Sequence, residues 1–378
     1  MEKKIKVLEV IYGFGYGGIR AFIMNYLTYI NKERFDVDIY AFGAETSPFT
    51  EQVEKLGAHI FFEPAIISNK HIPAFVGKLT DFINERGGYD VVHANCNLIS
   101  AWVLLAAKRA KVPIRLSHSH STSHFSGSLS QKAYGWMRRG LIDLLSTTKL
   151  ACGQLAGEKM YGTQAKFVVI PNGIDPDRFM KRDEQREREL RKQFNIQEGV
   201  RVYANVTRMD PPKNHIFAVR IFNEIHKLDP TALFLYGGTT PTIQSTVDAV
   251  AQLIKELGLE EYTRYTGPIM DVENLYNITD VWLYCSTFEG LPFGPIELQA
   301  ASVPCLASDI ITKDIDLGLG LVSFLPLSQS PKQWAEKAIM IKKQQVDQDV
   351  IRNAFEETGF NIKSGVSKLE RIYMGETC

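Results

Sequence analysis

The 378-residue sequence lacks several features that would assign it to a restricted class of protein. It has no run approaching the roughly 20 uninterrupted apolar residues that a membrane-spanning helix needs. Its first residues, MEKKIKVLEV, contain no long apolar stretch before a small-residue cleavage site. The five cysteines are far apart and form no C-x-x-C pair, which argues against a zinc site or a disulfide framework. We therefore expect a cytoplasmic protein that does not cross a membrane.

The sequence also lacks a net charge, because 43 basic residues balance 43 acidic ones. The balance is uneven along the chain, and residues 101–170 contain ten lysines and arginines against Asp143 and Glu158, a net charge of +8. This stretch suits an anionic membrane surface, which a helix could contact at the inner face of the cell membrane. The alternative is a solvated basic face over an ordinary core helix. The residues concerned are Trp136, Met137, Leu141 and Leu144, beside Arg138 and Arg139.

The order of predicted elements indicates an α/β protein with two domains. Short apolar runs alternate with helical periodicity in both halves, which is typical of parallel sheets covered by helices on both faces. A charged helical stretch over 178–196 separates the two series. We predict Rossmann-like, doubly wound domains at 1–175 and 176–359 that face a cleft, with a helix at about 360–378 packing back on the first domain.

The first predicted strand ends in VIYGFGYGG, where Gly13, Gly15 and Gly18 have G-x-G-x-x-G spacing. A dinucleotide site also needs an acidic residue at the end of the second strand. Asp36 and Asp38 lie at the beginning and middle of that strand, so the match is partial. Glycines there also let a substrate approach backbone N–H groups at the start of the next helix. A merely tight turn is the third interpretation.

The second half contains TFEGLPFGPIELQ, with Glu289 and Glu297 eight residues apart. We predict a glycine- and proline-rich loop over 289–294 and a helix from about Pro295, since proline is favoured in a first helical turn. Carboxylates accept hydrogen bonds from hydroxyls and loop amides donate to phosphate, so the segment suits a ligand that carries both groups. Alternatively, both glutamates only cap the helix electrostatically.

A second loop, NVTRMDPPKNH, favours the ligand interpretation. It places Arg208 and Lys213 after the first strand of the second domain, without a large acidic cluster beside them. A departing diphosphate develops negative charge, which two cations at a strand end would stabilise. A surface salt-bridge role is the alternative.

These motifs together resemble the retaining GT-B glycosyltransferases of family four. The resemblance rests on the E-x7-E pair, the EGLP within it, TR with Lys213 five residues on, VIPNGID at 169–175, and YGGIRAFIMNYL after the first strand. It spans both halves of the chain in the right order. Similar bacterial enzymes assemble capsule, exopolysaccharide or lipid-linked glycans. Pro295, Gln299 and Ser302 depart from the usual continuation of the motif, so the helix there is expected to pack differently.

The resemblance implies a role for each matching residue. Glu297 would bind the ribose of a nucleotide sugar, Glu289 the hydroxyls of its sugar ring, and Arg208 and Lys213 the diphosphate. His120 would position the sugar, and His118 is the next candidate for that role. The further donor-binding candidates are Gly17, Gly18, Ile269, Gly290, Leu291, Phe293 and Gly294. His93 and His118 are candidates for the acceptor side, and His93 is alternatively structural.

The resemblance also implies a mechanism in which the acceptor attacks the front face of the sugar and the leaving phosphate helps take its proton. No D-x-D motif stands at a strand end, and the two cations take the place of a metal, so we predict a transfer without metal or other cofactor. UDP is the preferred carrier. The predicted partners are the nucleotide sugar and a glycan or lipid-linked acceptor, and no nucleic acid.

Three other functions remain open at this point. A nucleotide-sugar epimerase of the same architecture would need carboxylates and histidines that converge on C2 of the sugar. An NAD-dependent oxidoreductase would rest on Gly13, Gly15 and Gly18 alone. A catalytically silent lectin or partner subunit would keep the fold and lose the reaction.

Overall fold

The chain forms two compact units, which we describe from a computed structural model. The structure describes residues 3–64, 71–122, 128–238, 243–269 and 271–376. Unit 1 consists of residues 1–173 and 359–378, and unit 2 of residues 174–358. The sequence-based boundaries, at 175 and 359, differ from these by one or two residues. Cys378 lies outside the described residues.

Unit 1 contains a sheet of seven strands with helices between them. The strands are β1 (Ile5–Tyr12), β2 (Phe35–Phe42), β3 (His59–Glu63), β4 (Val91–Ala94), β5 (Ile114–Ser119), β6 (Thr148–Ala151) and β7 (Val168–Val169). The helices are α1 (Gly18–Tyr29), α2 (Thr50–Lys55), α3 (Ile72–Glu85), α4 (Ser100–Arg109), α5 (Leu129–Leu145) and α6 (Gln154–Tyr161).

Unit 2 contains a sheet of six strands. Its elements are α7 (Pro176–Met180), α8 (Glu184–Gln193), β8 (Val202–Val206), α9 (His215–Leu228), β9 (Leu233–Gly237), α10 (Gln244–Glu256), β10 (Thr263–Tyr265), α11 (Val272–Asn277), β11 (Val281–Tyr284), α12 (Gly294–Ala300), β12 (Cys305–Ser308), β13 (Val322–Leu325), α13 (Pro331–Met340) and α14 (Gln348–Glu357). The last helix, α15 (Ile362–Tyr373), belongs to unit 1.

The strand orders confirm two doubly wound parallel sheets. The orders are β3-β2-β1-β4-β5-β6-β7 and β10-β9-β8-β11-β12-β13, and all described pairings are parallel. The strands read as near-continuous apolar runs because helices cover both faces. In β1, Val7, Leu8, Val10 and Ile11 are all at most 3% exposed.

The order also fixes where a ligand can bind in each unit. In unit 1, β1 lies between β2 and β4, and in unit 2, β8 lies between β9 and β11. The connections from such neighbouring strands leave in opposite directions and open a crevice at their carboxyl ends. The loops after β1 and β4, and those after β8 and β11, are therefore the positions for functional side chains.

The charged stretch over 178–196 is two helices rather than the single helical segment that its composition predicts. The chain is extended at Lys181, where α7 ends. Asp183 then caps α8 by accepting a hydrogen bond from the backbone N–H of Arg186 at 3.0 Å. A side-chain cap starts a new helix without a glycine or proline, so the periodicity of the sequence does not show the break.

Candidate active site

The loops after β8 and β11 meet at the carboxyl edge of the unit 2 sheet. The backbone N–H of Thr287 donates to the carbonyl of Pro212 at 2.8 Å. This contact brings the Lys213 ammonium to 2.5 Å from Oε1 of Glu289. The same oxygen accepts a hydrogen bond from the Tyr284 hydroxyl at 3.0 Å. The structure thus brings together two of the predicted donor-binding residues, 76 positions apart in the chain.

Arg208 also has a carboxylate partner. Its guanidinium lies 2.9 Å from Asp210, and its side chain is 38% exposed. Each of the two cations is therefore paired with a single carboxylate, Arg208 with Asp210 and Lys213 with Glu289. An exposed ion pair contributes little to stability.

His215, the first residue of α9, contacts the loop after β8 on its buried side. Its Nε2 lies 3.2 Å from both the Thr207 hydroxyl and the carbonyl of Arg208. Burial lowers the pKa of His215 to about 4, so the ring is neutral near pH 7. The sequence analysis did not single out this histidine, which orders the backbone of the loop.

Glu297 lies in the first turn of α12, as predicted. Its Oε2 accepts a hydrogen bond from the Tyr276 hydroxyl at 2.7 Å. Burial raises the pKa of Glu297, while the Tyr276 hydrogen bond and the charge of Arg178 act in the opposite direction. Arg178 itself pairs with Glu273 at 2.9 Å. Glu297 is therefore held by a hydroxyl from α11 and is also influenced by a charge from α7.

Each glutamate of the E-x7-E pair thus accepts from its own tyrosine, and the sequence analysis missed both donors. Burial raises the pKa of Tyr276 and Tyr284 well above the ordinary value, and the adjacent glutamate charge adds to the effect. Both hydroxyls therefore keep their protons. Two tyrosines among fifteen carry no sequence signal for this role.

The loop between the two glutamates is closely packed on β11. A Cβ at Gly294 would lie 3.3 Å from the Tyr284 ring, and Leu291 is 6% exposed. Gly290, Phe293 and Ile269 are partly exposed, and Ile269 lies in the loop after β10.

Gln299, which departs from the family pattern, is fully buried. It donates to the carbonyls of Pro295 and Ile315 and accepts from the N–H of Leu317. Its amide therefore fixes α12 to the following segment.

In unit 1, the glycine loop after β1 leads directly into α1. Gly17 precedes the helix in an extended conformation, and Gly18 is its first residue. A Cβ at Gly17 would meet nothing within 4 Å. The dinucleotide interpretation finds no support here, because Asp38 is 9% exposed and accepts from the Tyr89 hydroxyl at 2.5 Å. No carboxylate stands at the end of β2, which is Phe42.

The three predicted histidines form one stack behind α1. The rings of His93 and His118 are 5.2 Å apart, those of His118 and His120 are 4.0 Å apart, and Phe22 packs edge-on against all three. His93 and His118 are both 0% exposed, whereas His120 is partly exposed. The prediction that His93 and His118 are available to an acceptor is therefore wrong for this arrangement. His93 is structural, which was the alternative.

Burial favours neutral rings at His118 and His120. Burial, and secondarily the neighbouring histidines, lower the pKa of His118 well below its ordinary value. The same causes lower the pKa of His120 to about 3. His120 is the member of the stack that combines a neutral ring with access to solvent.

α5, one of the helices in the basic stretch, has two apolar faces. Gly135, Ile142 and Leu145 of α5 are buried against the unit, and Leu141 also packs in this cluster, so its predicted exposure is wrong. Trp136, Met137 and Leu144 are 57%, 43% and 78% exposed. In the part of the chain that the structure describes, no helix is long and apolar enough to cross a bilayer.

Comparisons with known proteins agree with this geometry. Residues 16–178 match the Glycosyltransferase Family 4 family, and residues 186–314 match Glycosyl transferases group 1. Together the two matches cover more than two thirds of the sequence. The chain therefore belongs to the glycosyltransferases of the GT-B fold.

The similar proteins are themselves named as glycosyltransferases. The chain is 27% identical over 374 residues to the "Putative glycosyltransferase EpsF" of Bacillus subtilis strain 168, covering 97% of this chain and 96% of that protein. It is 21% identical to the UDP-Gal:alpha-D-GlcNAc-diphosphoundecaprenol alpha-1,3-galactosyltransferase of Escherichia coli, covering 99% and 97%.

The fold is similar to that of Alr3699/HepE from Anabaena, whose structure was solved in complex with UDP-glucose. The TM-score is 0.78 at 17% identity, with 98% of this chain and 100% of that chain covered. The protein is a glycosyltransferase, and one relative, 21% identical with 99% of each chain covered, is named as the capsular polysaccharide biosynthesis glycosyltransferase CapH of Staphylococcus aureus.

Proposed function

We propose that this glycosyltransferase transfers a hexosyl group from a UDP-sugar, with retention and without a metal, to a glycan or lipid-linked acceptor of a surface polysaccharide. The observation that carries the proposal is the meeting of Lys213 and Glu289 at the switch point of the unit 2 sheet. A cation suited to phosphate and a carboxylate suited to hydroxyls adjoin there. The UDP-glucose complex of HepE and the lipid-linked acceptor of the E. coli relative support the choice of substrates.

In the proposed reaction, the acceptor hydroxyl attacks the anomeric carbon on the face that the leaving group departs from. The bond from that carbon to the β-phosphate oxygen breaks, the new glycosidic bond forms, and the acceptor proton passes to the phosphate. Arg208 and Lys213 stabilise the charge that develops on the diphosphate. Glu289 and Glu297 accept from sugar and ribose hydroxyls, and His120 positions the sugar.

Donor binding is testable by the thermal shift that nucleotides produce. We expect UDP to raise the melting temperature of the wild type and NAD to leave it unchanged. Arg208→Met and Glu297→Gln each remove a charged hydrogen-bonding group, and we expect UDP affinity to fall about tenfold or more. Arg220→Met and Glu256→Gln, at exposed positions on α9 and α10, are the matched controls.

Two results of these measurements would refute the proposal. Stabilisation by NAD alone would identify a dinucleotide site, and unchanged UDP affinity in Arg208→Met and Glu297→Gln would place the nucleotide elsewhere. The transfer itself is followed with UDP-sugars and a lipid-diphosphate acceptor. The anomeric configuration of the product by NMR tests retention, and loss of transfer in EDTA would contradict metal independence.

We also propose that α5 binds an anionic membrane surface. Leu129, Trp136, Met137 and Leu144 are exposed and lie within about 100° of one helical face, opposite the buried side. Lys132 lies on the same exposed side. Arg138 and Arg139 are partly buried, and Arg139 donates to the carbonyl of Tyr161, so the cation shown beside the stripe is Lys132. An exposed apolar stripe with a cation beside it is a surface by which a helix can enter the headgroup region.

The double substitution Trp136→Ser/Leu144→Ser should reduce sedimentation with vesicles that contain phosphatidylglycerol, because it removes the inserting side chains. The control is Leu228→Ser/Met340→Ser, which removes two exposed apolar side chains from unit 2. Equal binding of the wild type to vesicles with and without anionic lipid would refute the proposal.

A further inference from the structure

A buried carboxylate lies behind the histidine stack in unit 1. Glu9 is in β1 and is 6% exposed. A carboxylate at such a position requires hydrogen-bond donors. Its Oε1 accepts from the Tyr373 hydroxyl of α15 at 2.6 Å, and its Oε2 accepts from Nδ2 of Asn95 at 2.6 Å. Neither Glu9 nor Asn95 was a candidate in the sequence.

These contacts fix the orientation of the Asn95 amide. Nδ2 faces the Glu9 carboxylate and lies 3.3 Å from the carbonyl oxygen of His93. Both neighbours can only accept, so the atom between them must be the amide nitrogen. The opposite atom of the amide, Oδ1, then faces His120 and lies 2.8 Å from its Nε2.

The orientation of Asn95 in turn determines which nitrogen of His120 carries the proton. An amide oxygen cannot donate, so Nε2 of His120 must be protonated to make this hydrogen bond. The ring is neutral and holds a single N–H, because burial lowers its pKa to about 3. Nδ1 is therefore left with a lone pair and acts as an acceptor.

The ring is held in place by further contacts. Its face stacks on His118 at 4.0 Å, and Phe22 packs against it at 5.1 Å. The backbone N–H of His120 donates to Oδ1 of Asn97 at 3.1 Å. The position of the ring and its pattern of hydrogen bonding are thus both defined.

We propose that Glu9 and Asn95 are positioning residues that hold His120 as the Nε2–H tautomer, so that Nδ1 accepts a hydrogen bond from a hydroxyl of the sugar substrate. The inference rests on the proposed transferase function, and it specifies the direction of the hydrogen bond between His120 and the sugar. His120 accepts, and the sugar hydroxyl donates. If the tautomer were reversed, the Asn95 carbonyl and a bare Nε2 would face each other, and one hydrogen bond would be lost.

Glu9 is needed as well as Asn95 because an amide can rotate by 180°. Without the carboxylate, rotation would present Nδ2 to His120 and favour the Nδ1–H tautomer. With the carboxylate, rotation would place the amide oxygen against Oε2 of Glu9. The cost of leaving such buried groups unpaired disfavours the rotated state about tenfold or more.

The first test is the tautomer of His120 in the full chain labelled with ¹⁵N-histidine. Long-range ¹H–¹⁵N spectra distinguish the two neutral tautomers, and His120→Gln identifies the signals of this ring among the eight histidines. We expect Nε2–H in the wild type. An Nδ1–H or charged ring in the wild type would overturn the inference.

The second test compares variants of Asn95 and Glu9, the two residues proposed to position His120. Asn95→Leu and Glu9→Gln should each populate the Nδ1–H tautomer, and kcat/KM for sugar transfer should fall about tenfold while the dissociation constant of UDP stays within a factor of two. Tyr373→Phe is the control, because it removes a donor to Glu9 and leaves the Asn95–His120 bond in place. A single Nε2–H tautomer in both Asn95→Leu and Glu9→Gln would overturn the inference.

The two proposals can fail separately. Absence of transfer from every nucleotide sugar would refute the transferase assignment and the sugar contact, whichever tautomer is found. Active transfer with the wrong tautomer would refute only the roles of Glu9 and Asn95.

Discussion

Lys213 and Glu289 neutralise each other within unit 2. Their side chains are 14% and 12% exposed, so the ion pair is largely removed from water. Removing one partner of such a pair leaves a buried charge without compensation, whereas removing both costs much less. Residues proposed to bind the donor therefore also contribute to the stability of the unit.

We expect Lys213→Met to destabilise the protein by about 2 to 3 kcal/mol, somewhat below the value for a fully buried pair. The Glu289 carboxylate would then lie beside an apolar methionine side chain and would lack its cation. The double variant Lys213→Met/Glu289→Gln should recover most of the loss, because no charge remains. Urea denaturation measures the free energy of unfolding of both variants. Additive losses in the double variant would show that the two groups do not interact.

At the residue scale, the sequence predicted the chemical groups of the site better than their partners. Glu297 and Lys213 could be placed because strand-end loops of parallel sheets carry ligand-binding groups. The tyrosines that hold Glu289 and Glu297 could not, because they follow from packing between α11, β11 and α12. Asp210 was visible in the sequence, but its pairing with Arg208 depends on the turn between them.

At the scale of single elements, α15 joins unit 1 by a close helix contact. Ile362, Val366, Leu369, Ile372 and Tyr373 are buried on one of its faces. Gly365 lies on this face, and a Cβ there would be 2.6 Å from the Tyr26 hydroxyl of α1. Gly17 precedes α1 and Gly18 is its first residue. α15 therefore packs against an element of the proposed site.

Gly365→Ala should destabilise the protein by about 1 to 2 kcal/mol, although alanine favours helix formation by about 1 kcal/mol. The new methyl group would displace the buried Tyr26 ring. Ser367→Ala, at an exposed position of the same helix, should be neutral or slightly stabilising. Adding Tyr26→Phe to Gly365→Ala removes the clashing oxygen and should restore stability. Thermal unfolding of the full chain tests this, and no rescue would contradict the contact.

The alternation of helices and strands was predictable because apolar periodicity directly reflects burial. The division between α7 and α8 was not, because the intervening residues contain no helix breaker and the break depends on capping by Asp183. The exposed face of α5 was predicted in part. Trp136, Met137 and Leu144 are exposed, but Leu141 packs inward.

At the scale of the whole molecule, both units contain histidines whose pKa values are lowered by partial or complete burial. His118 and His120 lie in unit 1, and His215 lies in unit 2. Below pH 6.5 the unfolded chain binds protons at these positions and the folded chain does not. The native state therefore loses stability as the pH falls from about 6.5.

Each of these histidines should cost about 1 kcal/mol of stability between pH 7.5 and pH 5.5. Glu297 has a raised pKa and acts in the opposite direction, but it is one group against three. Urea midpoints at a series of pH values measure the total, and His215→Gln should flatten the dependence by removing one contribution. Stability that is constant over this range would contradict neutral burial of the rings.

The sequence by itself determined the two α/β units and the groups that face their strand-end loops, because hydrophobic periodicity and parallel topology act over short stretches of chain. Only the tertiary structure decided which groups meet. Glu289 pairs with Lys213 across 76 positions, and Glu9 accepts from Tyr373 across 364. Such contacts follow from the packing of elements that are distant in the chain, and no local pattern in the sequence encodes them.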